Sequence, residues 1–195
     1  SDMLEIDRTY NDAGEYYDDA GNVRYYDNET DNYWQDHVQV YYSYMLTDRW
    51  TLNAAADYAY GFGYYENYKY NKSFGKYGLE NPIINGGECN KSDFIVRKYL
   101  DNDLIVGNIA ARYHSERLSL SFGEMMTFFY NEHYGDVLWS KYNDGSISEN
   151  YRWYYNDSHK NDATSFFKAD LKLSSSWQLY ADIQYRYAQY VMKGE

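Results

Sequence analysis

A chain of 195 residues is long enough to form one domain with a core of its own. Twenty-one per cent of it is aromatic, 28 residues are tyrosine and proline occurs once, a balance that favours pleated sheet over helix or proline-rich disorder. The formal charge of -12 lacks the basic footprint of a nucleic-acid binder, so that class is excluded.

Residues 1–32 are polar and read as a loop, with Ala13-Gly14 and Ala20-Gly21-Asn22 as turn punctuation and a short hairpin around Gly21. Its acids, including Asp12, Glu15, Asp18 and Asp19, read as a solvated surface. Residues 33–65 read as the first hairpin. Val38, Val40, Tyr42 and Tyr44 alternate with polar partners and Thr47-Asp48-Arg49 turns. The return strand then sets Trp50, Leu52, Ala54, Ala56, Tyr58, Tyr60, Phe62 and Tyr64 on one face. Thr51, Asn53, Ala55, Asp57, Ala59, Gly61 and Gly63 take the other, and a period of two over this length specifies strand.

Residues 66–100 are polar and read as a long connection. The second hairpin, 101–131, carries Ile105, Gly107, Ile109, Ala111 and Tyr113, a turn at His114-Ser115-Glu116-Arg117, and then Leu118, Leu120, Phe122, Met126, Phe128 and Tyr130. Glu124 shares the parity of Leu120 and Phe122, and a bulge beside it would turn it away from them. A second long connection spans 132–162. The third hairpin, 163–192, pairs Phe167, Ala169, Leu171 and Leu173 with Trp177, Leu179, Ala181, Ile183 and Tyr185 across Ser174-Ser175-Ser176.

Three hairpins thus repeat one plan, with similar re-entries at Arg49-Trp50-Thr51-Leu52, Arg117-Leu118-Ser119-Leu120 and Ser176-Trp177-Gln178-Leu179. The fold class is all-β, built of antiparallel up-and-down hairpins. Short reversals at one end and long crossings at the other match a membrane-spanning barrel wall, whose strands need about 9–11 residues each. Trp50 and Trp177 suit one aromatic girdle, and Tyr60, Phe62, Tyr64 and Tyr130 the other. Asn53, Asp57, Arg112, Asp170, Gln184 and Arg186 suit a wet or plugged lumen. A water-soluble antiparallel sandwich would also alternate, and would bury Val40, Leu52, Ile109 and Leu179 together.

Motifs for chemistry are weak. Gly61-Phe62-Gly63 lies within a strand, and no H-E-x-x-H or G-x-S-x-G occurs, so no catalytic residue is assigned and the chain does not read as an enzyme. Asp27, Glu29 and Asp31 alternate like a calcium loop, but Asn32 and Val38 stand where Gly and Glu belong, so neither metal nor cofactor is expected. The four N-x-[ST] matches read as chance in a chain so rich in Asn and Ser. Cys89 is alone and forms no intrachain disulfide. Ligand contacts are expected from loop aromatics and cations, with Arg97, Tyr134, Trp139, Arg152, Trp153 and Tyr155 as candidates and Lys141, Tyr142 and Tyr154 beside them.

Several segments, in order, are similar to TonB-dependent outer-membrane receptors of the Bacteroidetes type. They are Tyr25-Tyr26-Asp27-Asn28-Glu29-Thr30-Asp31-Asn32-Tyr33 with Gln35-Asp36-His37, and Gly63-Tyr64-Tyr65-Glu66 with Tyr68-Lys69. Arg97-Lys98-Tyr99-Leu100-Asp101-Asn102-Asp103, His133-Tyr134-Gly135-Asp136-Val137-Leu138-Trp139 and Tyr180-Ala181-Asp182-Ile183-Gln184-Tyr185-Arg186-Tyr187 follow. The resemblance spans about residues 8 to 193. It implies a 22-stranded barrel with a plug in its lumen, seated in the bacterial outer membrane. Such receptors import a scarce nutrient with energy from the TonB complex. By resemblance the lead cargo is an iron–siderophore or similar chelate, and glycan uptake is the close rival. A soluble carbohydrate-binding module is the alternative from another class. No plug segment stands in the sequence, so the chain reads as an internal fragment of the barrel. Outer-membrane lipid would be one partner and the TonB complex, through the plug, another. Two open sheet edges would invite self-association of the piece.

Overall fold

Alternating side chains give each strand one apolar and one polar face, and the backbone ladder then needs only an antiparallel neighbour. In the computed structural model, which describes residues 14–194, the neighbours of each long strand are the long strands adjacent to it in sequence. β1 (Glu15–Tyr17) and β2 (Val23–Tyr25) form a small hairpin closed through Gly21, which has φ 79°. The main sheet follows: β3 (Asp31–Thr47), β4 (Trp50–Ser73), β7 (Lys91–His114), β8 (Leu118–Ser140), β9 (Tyr151–Lys172) and β10 (Gln178–Gly194). Between β4 and β7 lie a 3₁₀ turn (Phe74–Tyr77) and a short ribbon of β5 (Ile83–Ile84) and β6 (Gly87–Glu88). The six long strands lie in the order β10-β9-β8-β7-β4-β3 as one curled, half-barrel antiparallel sheet, so the chain is all-β. β3 and β10 are its two edges.

The short reversals share one device. Thr47 Oγ1 accepts the backbone N–H of Arg49 at 3.3 Å and of Trp50 at 3.1 Å. Ser115 Oγ accepts the N–H of Leu118 at 3.1 Å. Ser174 Oγ accepts those of Ser176 at 3.2 Å and Trp177 at 3.1 Å. A hydroxyl at the first turn residue satisfies donors that the ladder abandons where the chain reverses.

Register carries each face across the whole sheet. One row of the apolar face reads Val40, Ala56, Gly107, Met126, Ala163, Tyr187, and another reads Val38, Tyr58, Ile105, Phe128, Asn161, Gln189. The corresponding polar-face row is Gln39, Asp57, Val106, Thr127, Asp162, Ala188. Among the described residues nothing covers these apolar rows: Val40 is 61% exposed, Ile109 59% and Leu179 57%. That is the opposite of what a two-layer sandwich requires. On the polar face the Tyr33 ring lies across Gly61 and Gly63, where any larger side chain would collide with it. Those two glycines are therefore structural.

The strands run farther than the apolar pattern marks. β4 continues to Ser73 and β7 starts at Lys91, so the true connection is 74–90 rather than 66–100. Likewise β8 reaches Ser140 and β9 starts at Tyr151, which leaves 141–150 in place of 132–162. β3 begins at Asp31, inside the stretch read as loop. Both faces are polar over Glu66-Asn67-Tyr68-Lys69 and Asn156-Asp157-Ser158-His159, so apolar contrast vanishes there while the backbone ladder continues. Glu124 also differs from expectation. No bulge lies beside it; it pairs in unbroken register with Ile109 and Ser165 and stays on the apolar face.

The packed core sits at the far end, away from the short turns. Phe74, Tyr77, Phe94, Val96, Val137 and Ile147 are buried together, with Leu79, Cys89, Tyr151 and Trp153 against them. Phe74 meets Phe94 edge-on at 5.1 Å, and Tyr77 lies 4.8 Å from Phe94 and 5.3 Å from Trp153. The connections 74–90 and 141–150 thus fold down onto the sheet instead of standing free.

Candidate functional site

Above the apolar rows the same face turns aromatic and charged. Tyr64, Tyr99, Tyr134 and Tyr155 are register partners on β4, β7, β8 and β9. Their rings form a row, with centroids 5.7 Å apart for the first pair, 4.7 Å for the second and 6.3 Å for the third. Interstrand spacing of about 4.8 Å makes such a row wherever one ring type recurs in register. The next row outward alternates acid and base: Glu66, Arg97, Asp136 and Arg152. The Arg97 guanidinium lies 4.2 Å from the Tyr64 ring centre, and that of Arg152 4.0 Å from the Tyr134 ring centre.

Each arginine is already matched by a carboxylate. Arg97 donates to Glu66 Oε2 from Nε at 2.9 Å and from Nη2 at 2.5 Å. Arg152 Nε donates to Asp136 Oδ1 at 3.0 Å. Glu66, 3% exposed, also accepts from the Tyr26 hydroxyl and from Asn28 Nδ2 at 2.7 Å. Burial by itself would raise the Glu66 carboxyl, but the hydrogen bonds from Tyr26, Arg97 and Asn28, with the Arg97 charge, outweigh it and hold that carboxyl below its ordinary range. The same contact works the other way on Tyr26: burial first, then its bond to an anion, push the phenol up to about 12. The acid therefore pins the 26–30 segment to β4.

Below the ring row lies another of carboxylates, with Asp101, Glu132 and Asp157 in register. Glu132 Oε1 accepts the Tyr130 and Tyr155 hydroxyls, each at 2.6 Å, and these bonds lower its carboxyl and raise the Tyr155 phenol. Among the described residues no group of three or more His, Cys, Asp or Glu side chains has the geometry to hold a metal ion.

The sequence candidates divide. Arg97, Tyr134, Arg152 and Tyr155 come together in these two rows, but on regular strand and on the apolar side of the sheet, not in loops. Trp153 packs into the far-end core against Tyr77. Trp139 stands apart, 44% exposed, beside a hollow of about 190 Å³ that Val137, Ser140, Asn143 and Ile147 help line. Lys141 is occupied by Asp19, at 2.9 Å, and lies 3.7 Å from Asp93. Sequence reasoning missed Glu66, Tyr99 and Asp136 as members of the cluster, because only strand register reveals which residues lie side by side.

The polar face offers a second arrangement. Arg186 pairs with Asp162 at 2.5 Å, Lys168 with Asp182 at 3.3 Å, and His37 with Asp57 at 3.3 Å. A hollow of about 430 Å³ near the turn end is lined by Arg112, Ser121, Thr164, Phe166, Lys168 and Gln184. Charges of both signs thus pair along this face.

No protein-family model matches this chain, and no curated protein is significantly similar to it. Among the described residues no helix is long and apolar enough to cross a membrane, which has no bearing on crossing by strands.

Proposed function

We propose that this chain is part of the wall of an outer-membrane β-barrel receptor of the TonB-dependent kind, which binds and imports a scarce nutrient. The observation that carries the reading is the uncovered apolar face. From Trp50 to Tyr60 it rises ten residues, about 33 Å along the strand and about 25 Å after a tilt of about 40°, the height of a membrane-facing band. Aromatic side chains bound that band: Trp50 and Trp177 at the turn end, Tyr60, Phe62 and Tyr130 at the other. Lipid supplies no hydrogen bonds to backbone, so such a wall has to close on itself. An open six-stranded sheet with edges at β3 and β10 needs further strands to do so.

Iron-chelate uptake leads as the cargo class and glycan uptake follows; both rest on sequence resemblance alone. The sugar-binding module loses support from the ring row. Tyr99 and Tyr134 stack at an interplanar angle of 20° and arginines cover Tyr64 and Tyr134, so these faces are taken by neighbours and not offered to a sugar. The test is tryptophan quenching by brominated lipid. Trp50 and Trp177 should be quenched in vesicles, and a chain that stays monomeric in water without detergent would overturn the wall. Growth of a deletion strain on defined iron or glycan sources then separates the two cargoes.

A further inference from the structure

The apolar band has one interruption. From the row of Trp50 to that of Phe128, Glu124 is the sole charged side chain on that face among the described residues. Ser165 Oγ donates to its Oε2, and no hydrogen bond is seen to Oε1. Two hollows flank it. One of about 510 Å³ is lined by Leu52, Ile109, Phe122, Glu124 and Ser165 among others. The second, of about 260 Å³, is lined by Gly107, Ile109, Glu124 and Met126 among others. Small residues help to make them: Ala111 lines the first and Gly107 the second, where neighbouring rows carry Tyr, Phe and Ile.

Glu124 is level with Ala54, four residues from Trp50, which puts it about 10 Å into a band about 25 Å tall. At that depth acyl chains offer no donor, and the polar headgroups are a girdle away. A carboxylate facing hydrocarbon is poorly solvated unless a partner supplies a proton donor or a cation. A second copy of the same face would bring another carboxylate, not a donor. The complement is an apolar surface with one cationic side chain, which in the middle of a bilayer only a polypeptide provides.

We propose that the hollow around Glu124 is the docking seat for a second membrane-embedded polypeptide segment, apolar along its length and bearing one Lys or Arg level with Glu124. This rests on the barrel-wall reading. The outward face of β7, β8 and β9 then serves as a protein contact, while the flanking strands face lipid.

The test uses the chain in phosphatidylcholine vesicles. The probe is a synthetic Leu–Ala peptide of about 20 residues with one central Lys and a dansyl label, compared with the same peptide carrying Leu there. Energy transfer from tryptophan reads association, and brominated lipid reads embedding in parallel samples. The Lys peptide should associate about tenfold more tightly than the Leu peptide, as for one charge-assisted hydrogen-bonded pair. Glu124→Gln should erase that preference and leave the Leu peptide unchanged. Gly107→Leu, which fills the second hollow from a position where an added Cβ meets open space and keeps the carboxylate, should weaken the Lys peptide as well. Embedding without a Lys preference, or a preference that survives Glu124→Gln, overturns the docking seat alone. Absence of lipid quenching overturns the barrel wall and this inference with it.

Discussion

Near the turns, the buried apolar residues of the long strands are alanines, Ala59, Ala110 and Ala111, and the large side chains of one face stand open. At the far end the same strands bury Phe74, Tyr77, Phe94, Val96, Val137 and Ile147 beneath their connections and cross-link their surface with Arg97–Glu66 and Arg152–Asp136. On the barrel-wall reading proposed above, one backbone ladder serves two solvents. The turn-proximal half buries little beyond those alanines and leaves its large apolar side chains open. The far half carries a core and paired charges, and needs only water around it.

The largest effect should come from the far-end core. Phe94→Ala removes a fully buried ring that contacts both Phe74 and Tyr77, and should cost about 3–5 kcal/mol. Hydrogen exchange should rise across 74–97 and 137–153 while the turn-proximal ladder in vesicles stays protected. Equal loss of protection in both halves would show that they are one cooperative unit.

Next comes Ile109→Lys, in the middle of the open band. In vesicles it should cost about 2–4 kcal/mol by urea unfolding, the price of a cation at the lipid face. In detergent-free water the cost should be near zero, because Ile109 is 59% exposed in the isolated chain. The same loss in both media would erase the distinction between the halves.

Arg97→Met should cost about 1–3 kcal/mol by leaving the Glu66 carboxylate buried without its cation. The pH dependence follows from a carboxyl held below its ordinary 4.5 in the folded chain. The stability it contributes is fully present above about 4.5 and is lost as pH falls from there through the lower folded value. Acid titration of far-end protection should show that decline, and Arg97→Met should flatten it. The smallest effect is Ser174→Ala, which strips the third reversal of its hydroxyl acceptor and should cost about 0.5–1.5 kcal/mol. Thermal melts in detergent would measure it.

This division also explains what could be read from sequence. Hairpins and faces were legible wherever Val38 to Leu46, Trp50 to Tyr64 or Leu118 to Phe122 alternate, because a sheet with two unlike faces writes its period into the sequence. The upper strands were not, because Glu66-Asn67-Tyr68-Lys69 and Asn156-Asp157-Ser158-His159 are polar on both faces. Parity counting fails at two further points. Val96 pairs with Val137 and Ile95 with Trp139, so Leu138 is an extra residue. Gly135 pairs with Tyr154 and Asp136 with Arg152, which makes Trp153 another. The second of these accounts for Trp153 reaching the core while Arg152 lies over Tyr134. Arg97, Tyr134, Arg152 and Tyr155, four of the six ligand candidates, lie side by side, but their face and their carboxylate partners follow from register and could not be counted from spacing alone.

Each long strand pairs only with its sequence neighbours, and each short reversal carries its own hydroxyl clasp. The turn-proximal part of a hairpin is therefore a repeatable unit. Duplicating or deleting one would widen or narrow the sheet by two strands, and the contacts that would have to re-form are the far-end ones that cross between hairpins, such as Phe74 on Phe94, Tyr77 on Trp153 and Asp136 with Arg152.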